Sequence, residues 1–364
     1  GNTAGAILAN ISSMRAAMVS SDAWRSVIII LIGFALLFAY KMKKLRADYM
    51  VAGLLVLCLV DMWQVDKRYL NDEMFVPKSE RDMPQQPTAA DLEINKDKSL
   101  DYRVLNFASN TFNENETSYF HKSIGGYHPA KLRRYQEMID AYIAPEMQKT
   151  MQAIAAAGGN MQAVDGVKTF PVLNMLNTKY FILPLQGGTT APIQNPYAQG
   201  NGWFVNKLTY VDDANAEYAE VGKIDVRHEA VADKKFEAAL GQAKANDSTA
   251  IVKLDKYEPN NLQYTVNSKN GGVVVFSEIY YPHGWHLRLD GKDELPLVRA
   301  DYTLRAAYIP AGTHELTMTF DPASIHHTEL VAKICTALLA LLLLASLVQP
   351  FLKRKDKKAT TPQH

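Results

Sequence analysis

Cysteine is nearly missing from this chain of 364 residues: only Cys58 and Cys335 occur, each inside an apolar run. Both read as buried small hydrophobes and not as a disulfide, so the cysteine-free stretch between those runs must be held together by its core. Charge imbalance is missing too. Thirty-nine basic residues against 38 acidic ones leave +1, with no long basic stripe, which gives no reason to expect a nucleic-acid partner. The standard chemical signatures do not occur: no G-x-S-x-G, H-E-x-x-H, Walker loop, C-x-x-C pair, calcium loop or internal repeat. No Gly-rich loop joins a strand to a helix, which argues against a doubly wound nucleotide fold. His283 and His286 form an H-x-x-H, but in a strand they point to opposite faces, and His121 and His128 are not at helical i,i+4 spacing. No metal, cofactor or catalytic residue is therefore expected from the motifs. An initiator Met and a signal peptide are also missing, and the expectation is a C-terminal fragment of a longer polytopic protein with its catalytic groups upstream.

Long apolar runs, by contrast, are prominent. From Ile334 to Val348 the sequence ICTALLALLLLASLV has no polar stripe, and Leu330–Leu352 is about long enough to cross a ~30 Å hydrocarbon layer. Lys333 snorkels at its start, and Lys353-Arg354-Lys355 with Lys357-Lys358 follow its end. Two shorter runs lie near the N-terminus. Val27–Tyr40 follows a candidate N-cap at Ser20-Ser21-Asp22 and has Trp24 before it; Tyr49–Val60 is followed by Met62-Trp63. Lys41, Lys43, Lys44 and Arg46 separate these two runs. Basic flanks stay cytoplasmic, so both clusters predict one topology: a hairpin with its linker inside, residues 66–327 outside, and the C-terminus inside. Asp61, at the outer end of the second run, is read as marking the interface, an ionisable group at membrane depth being the functional alternative. Residues 1–19 are read as a helix on or near the outer surface. The segments expected are thus 1–65 (surface helix and membrane hairpin), 66–249 (α/β region), 250–325 (β-sandwich), 328–352 (membrane helix) and 353–364 (basic tail). The lipid bilayer is the first partner.

Within the lobe, Thr88 opens a helix, Tyr102–Phe107 is a strand, and Pro129 starts a helix running through about Met151. Val172–Asn177 and Lys179–Leu183 read as helix then strand. Gly187–Gly202 is a Gly/Pro/Asn/Gln-rich connection, Trp203–Val211 a strand, and Asn215–Glu220 and Asp233–Gln242 helices. From Ala250 onward, short alternating runs are separated by turns at Asn270-Gly271, Asp290-Gly291 and Pro310-Ala311-Gly312, the pattern of an antiparallel β-sandwich with Trp285 as a core anchor. The fold class expected is membrane α-helical, with three spanning helices, plus an extracytoplasmic α+β region ending in that sandwich.

The densest chemistry is in Tyr119–Tyr135, YFHKSIGGYHPAKLRRY. His121, Lys122, Tyr127, His128, Arg133 and Arg134 surround Gly125-Gly126 as a hinge. Two readings stand: a solvated helix face beside a glycine turn, or a surface that meets phosphate through Lys122, Arg133 and Arg134 and sugar through Tyr127 or His128.

Five segments in this order carry a family resemblance: Ser118–Glu137 (SYFHKSIGGYHPAKLRRYQE), Val172–Leu183 (VLNMLNTKYFIL), Gly202–Asp213 (GWFVNKLTYVDD), Phe276–Lys292 (FSEIYYPHGWHLRLDGK) and Tyr308–Pro322 (YIPAGTHELTMTFDP). With them nearly the whole chain resembles the C-terminal region of the YfhO family of bacterial membrane proteins, most like members from Bacteroidetes. The resemblance implies a multi-pass protein of the bacterial cytoplasmic membrane, similar to C-type glycosyltransferases. Such enzymes move sugar from a polyprenyl phosphate to an acceptor outside the membrane, and some members of the family are implicated in glycosylating envelope polymers. Their catalytic acid normally sits in the first outer loop, which is expected to lie upstream of Gly1, so no catalytic residue carries over. A polyprenyl-phosphate sugar and an envelope glycan acceptor become expected partners. The competing class is a non-catalytic, membrane-anchored glycan- or partner-binding assembly module. A transporter is disfavoured because only Gly33 and Gly53 interrupt the apolar runs.

Overall fold

The computed structural model describes residues 2–82, 85–244 and 249–359. Pro84 and positions 360–364 of the expected basic tail lie outside them. Contacts divide the chain into two units, 1–84 and 85–364.

The first unit is a helical hairpin. Its first helix, Asn2–Lys41, is 40 residues and about 60 Å long, and its second is Ala47–Tyr69. No separate helix forms over residues 1–19, and Ser20-Ser21-Asp22 does not start one. The Ala-rich stretch before Trp24 holds no proline, and the helix runs straight through it. Asp22 accepts a bond from Nη1 of Arg68 at 2.8 Å, and Arg25 Nε lies 3.3 Å from Asp61. Two Asp and two Arg thus tie the helices together at the end away from the basic linker. Lower down, a Cβ at Gly53 would lie 3.1 Å from Leu36, so that glycine permits close helix approach.

The second unit contains the folded lobe and the final helix, Ala323–Ala359. Among the described residues, three helices are long and apolar enough to cross a membrane. Their large side chains stand open to the surroundings; Leu342, for instance, is 67% exposed. A helix apolar all round is not stabilised by water.

The lobe opens with the expected helix at Thr88. Thr88 and Asp91 form a reciprocal capping box over Ala89–Ile94. Strand β1 (Arg103–Asn106) pairs in parallel with β2 (Thr178–Pro184), which pairs antiparallel with β3 (Thr190–Gln194). The long helix begins at Arg133 and not at Pro129. It runs Arg133–Met138, passes through a π-helical turn at Ile139–Ile143, and continues as Ala144–Ala156. Pro145 has no N–H to donate back, and the turn falls where that bond is missing. The single strand expected over Trp203–Val211 is two strands in different sheets: β4 (Gly202–Phe204) and β5 (Lys207–Val211). Val205 N–H donates to Val273 O while Asn206 N–H donates to His228 O, so the chain changes partners between them. β5 pairs in parallel with β6 (Glu229–Asp233), across the helix Ala214–Val221. Asp233–Gln242 is not one helix. Asp233 ends β6, two short turns follow, and Gly241 at φ 61° closes them.

Then come β7 (Ile251–Glu258), β8 (Asn261–Ser268), β9 (Gly272–Ile279), β10 (Trp285–Leu289), β11 (Asp293–Leu295), β12 (Val298–Ala300), β13 (Leu304–Ile309) and β14 (Gly312–Phe320). They form two antiparallel sheets, ordered β11-β10-β14-β8-β7 and β12-β13-β9-β4. The second recruits β4 from before residue 250. Phe204, Tyr264, Phe276, Leu287, Leu316 and Met318 fill the space between the sheets, and Trp285 packs at its edge. The other face of the four-stranded sheet, with Val273, Val275 and Leu304, packs on Phe170, Leu173 and Phe181 of the α/β layer. Covered on both sides, β9 reads GVVVFSEI without alternation.

Candidate functional site

The six basic and aromatic residues singled out in the sequence do not form one surface. His121 turns inward. Its side chain is 2% exposed and its Nε2 sits 2.9 Å from Oδ1 of Asp91, whose other oxygen holds the Thr88 cap. Lys122 bridges Asp101 and Glu278, both at 2.9 Å, with its ammonium 4.8 Å from the centre of the Tyr257 ring. Burial opposes the Glu278 charge, yet Lys122, Arg103 and Arg305 outweigh it and hold its carboxyl below the ordinary value. Both side chains are thus committed to carboxylates inside the lobe. Gly125 is no hinge: a Cβ there would lie 1.9 Å from Thr111 O. Tyr127 is 59% exposed, and His128 Nδ1 accepts the Ala130 N–H at 3.1 Å within the turn. Arg133, 92% exposed, pairs with Glu137 one helical turn on, at 2.9 Å.

Arg134 differs from all of these. Its guanidinium lies 4.7 Å from the centre of the Tyr302 ring, and its buried Nη1 has no hydrogen-bond partner in the protein. Among the described residues no carboxylate comes within ion-pair distance of it. Arg134 faces a cleft of about 640 Å³ whose walls include Tyr135, Lys235, Phe236, Tyr281 and Arg299. A smaller hollow of about 310 Å³, bordered by Lys122, His128 and Lys131, adjoins it, because Leu132, Tyr135 and Ile279 line both.

The cleft floor is built on the hairpin between β12 and β13. Asp301 and Tyr302, at its turn, both have positive φ, 47° and 66°. Two consecutive non-glycine residues in that region store strain that the surroundings must offset. The anchors are visible. Tyr302 N–H donates to Glu217 at 3.0 Å, Asp301 Oδ1 accepts the Val231 N–H at 2.9 Å, and the Tyr302 hydroxyl donates to Glu137. Arg299 donates to both oxygens of Glu217, its Nε at 3.3 and 3.1 Å, and its Nη2 lies 3.7 Å from Asp233. Burial pushes the Glu217 carboxyl up, against the pull of Arg299. It pushes Asp301, fully enclosed, up to about 8, and it pushes the Tyr302 hydroxyl to about 12 with help from Glu137. Asp233 is below the ordinary value, since Lys235 and Arg299 outweigh its desolvation.

Glu137, Glu217 and Asp233 are therefore each tied to a cation and Asp301 is enclosed on the Val231 N–H, while Arg134 has no carboxylate partner among the described residues. Such a site accepts an anionic group lying against aromatic and aliphatic surface. Arg299, Lys235, Phe236 and the Asp301-Tyr302 turn were not visible in the sequence as a site. Glu217 and Arg299 stand 82 positions apart, and no local pattern links them. Comparison of the chain with protein-family models, with curated proteins and with solved structures gives no match. The features in hand are three apolar helices of spanning length and an antiparallel sandwich on an α/β layer, with a cationic, aromatic-walled cleft in that lobe.

Proposed function

We propose that this chain is the C-terminal part of a YfhO-family membrane protein, a bacterial envelope glycosyltransferase using a polyprenyl-phosphate sugar. In this reading three helices span the cytoplasmic membrane, the C-terminus is cytoplasmic, and the lobe is the extracytoplasmic domain on the acceptor and lipid-phosphate side. Transfer chemistry rests on the sequence resemblance, and the topology on the two basic clusters. The binding role rests on one observation: Arg134, with an unpartnered buried Nη1, faces a cleft walled by rings. A lipid-linked sugar phosphate presents the matching chemistry, an anion joined to apolar and ring-shaped parts. Of the residues first assigned to phosphate, Arg134 keeps that role, Arg133 borders the same cleft, and Lys122 supports the wall through Asp101 and Glu278.

The test uses the full-length protein in nanodiscs with polyprenyl-phosphate sugar. Arg134→Ala lowers consumption about tenfold or more, as loss of a charged hydrogen bond implies, and Arg134→Lys loses less. Unchanged turnover in Arg134→Ala, with unchanged circular dichroism, removes the cleft from the account. A second reading, the non-catalytic binding module, is favoured by Glu137, Glu217 and Asp233, each engaged by a cation, and by Asp301, whose enclosed carboxyl does not line the cleft. It predicts that the full-length protein binds the lipid-linked sugar through Arg134 and consumes none.

A further inference from the structure

The Gly/Pro/Asn/Gln-rich connection is not used by the Arg134 cleft, and its end, QNPYAQGNGW (194–203), is dense in amides and rings. The structure gives that composition a place. A hollow of about 300 Å³ is lined by Tyr197, Gln199, Trp203 and Arg227, and a second of about 310 Å³ by Lys179, Gln194, Asn195 and Asn201. Pro196 and Ala198 border both, so the two hollows lie side by side along one loop. Neither shares a lining residue with the Arg134 cleft.

The loop is well fixed. Tyr197 donates its hydroxyl to Val164 O at 2.7 Å, and its ring lies so close over Gly166 that a Cβ there would meet it at 2.2 Å. Asn195 Nδ2 donates to Asn174 Oδ1 and Thr178 O, both at 2.8 Å, and Gln199 N–H donates to Asn174 O at 3.1 Å. Against this order, three buried polar atoms of residues that line the first hollow have no protein partner: Gln199 Nε2, Gln199 Oε1 and Trp203 Nε1. Buried polar groups left without partners are costly, and natural folds keep few of them.

The chemistry of the three atoms narrows the ligand. Two are donors and one is an acceptor. A phosphate only accepts and an apolar chain does neither, whereas a sugar hydroxyl does both while its ring face stacks on Tyr or Trp. Charge around the loop is already matched. Arg227 is held by Asp225 at 3.2 Å, and Lys179 by Asp97 at 2.5 Å. From these observations we propose that the 194–203 loop is a binding site for a neutral oligosaccharide. One unit sits in the Tyr197–Gln199–Trp203 hollow, and the next lies toward Asn195 and Asn201. The site does not depend on what the Arg134 cleft binds.

The experiment is a titration of the full chain in a zwitterionic, non-glycosidic detergent with maltotriose, chitotriose and mannotriose, read by tryptophan fluorescence and isothermal calorimetry. At least one trisaccharide binds saturably. Gln199→Ala weakens that binding about tenfold, the effect of one or two lost hydrogen bonds. Trp203→Phe, which keeps a ring and removes only the indole and its N–H, weakens it by a smaller factor, and Arg134→Ala leaves it unchanged. Circular dichroism confirms that each variant is folded. No saturable binding of any of the three overturns the proposal. So does binding unaffected by both Gln199→Ala and Trp203→Phe, or binding of glucose 6-phosphate in preference to the neutral sugars.

Discussion

Asp301 carries its carboxyl in a fully enclosed position, with one oxygen on the Val231 N–H and the other without a partner. Unfolded, it titrates near 3.8; folded, at about 8. Between those values the folded chain holds a proton that the unfolded chain has released, so this group's contribution to stability falls as pH rises through that window and is flat outside it. Asn mimics the protonated form. Asp301→Asn should therefore match the wild type in thermal unfolding only at or below pH 3.8 and melt several degrees higher at pH 8, where an Asp must lose its proton in the folded lobe or keep it against the solution. Equal melting temperatures for the two proteins at pH 8 would show that burial does not hold this proton. Glu146, pushed to about 7 by burial, titrates with the same sign, so only the difference between wild type and variant isolates Asp301. Nothing in the sequence marked this residue. Its burial depends on β6, 70 positions away, and its left-handed backbone would have suggested Gly or Asn before Asp followed by Tyr.

Elements were more legible than contacts. The turns at Asn270-Gly271 and Asp290-Gly291 fall where positive φ is required, at 65° for Gly271, 51° for Asp290 and 70° for Gly291, so the strands they join followed from local chemistry. The helix at Thr88 was legible for the same reason. What failed were readings that needed tertiary knowledge. Trp203–Val211 alternates without a break, yet its halves answer to different sheets. Gly125-Gly126 looked like a hinge, but Gly125 is a point of contact between the segment after the short helix Glu116–Phe120 and the Thr111 backbone. Gly125→Ala should therefore destabilise the lobe by about 3 kcal/mol or more, seen as a lower urea midpoint, because the Thr111 carbonyl cannot move aside as a side-chain tip can. A mere hinge would tolerate alanine with little change. The cationic segment failed as a unit for an analogous reason. His121 and Lys122 found carboxylates at Asp91, Asp101 and Glu278, which only folding brings near.

At the scale of the whole molecule, three apolar helices accompany a lobe with a cationic cleft among the described residues. The hairpin has its own test. Arg25 and Asp61 face one another on two helices, so Arg25→Ala and Asp61→Ala should each lower resistance to unfolding in SDS, and the double variant should lose less than the sum. Additive losses would mean that the two charges act separately. The central claim is that the basic linker and the lobe lie on opposite sides of a bilayer, and the shortage of cysteine makes it directly measurable. With Cys58 and Cys335 replaced by Ser, a single new thiol is introduced at Lys292, exposed between β10 and β11, or at Lys44 in the linker. A membrane-impermeant maleimide is then added to intact spheroplasts. Lys292→Cys is expected to label at once and Lys44→Cys only after permeabilisation; labelling of Lys44→Cys with protection of Lys292→Cys would contradict the account.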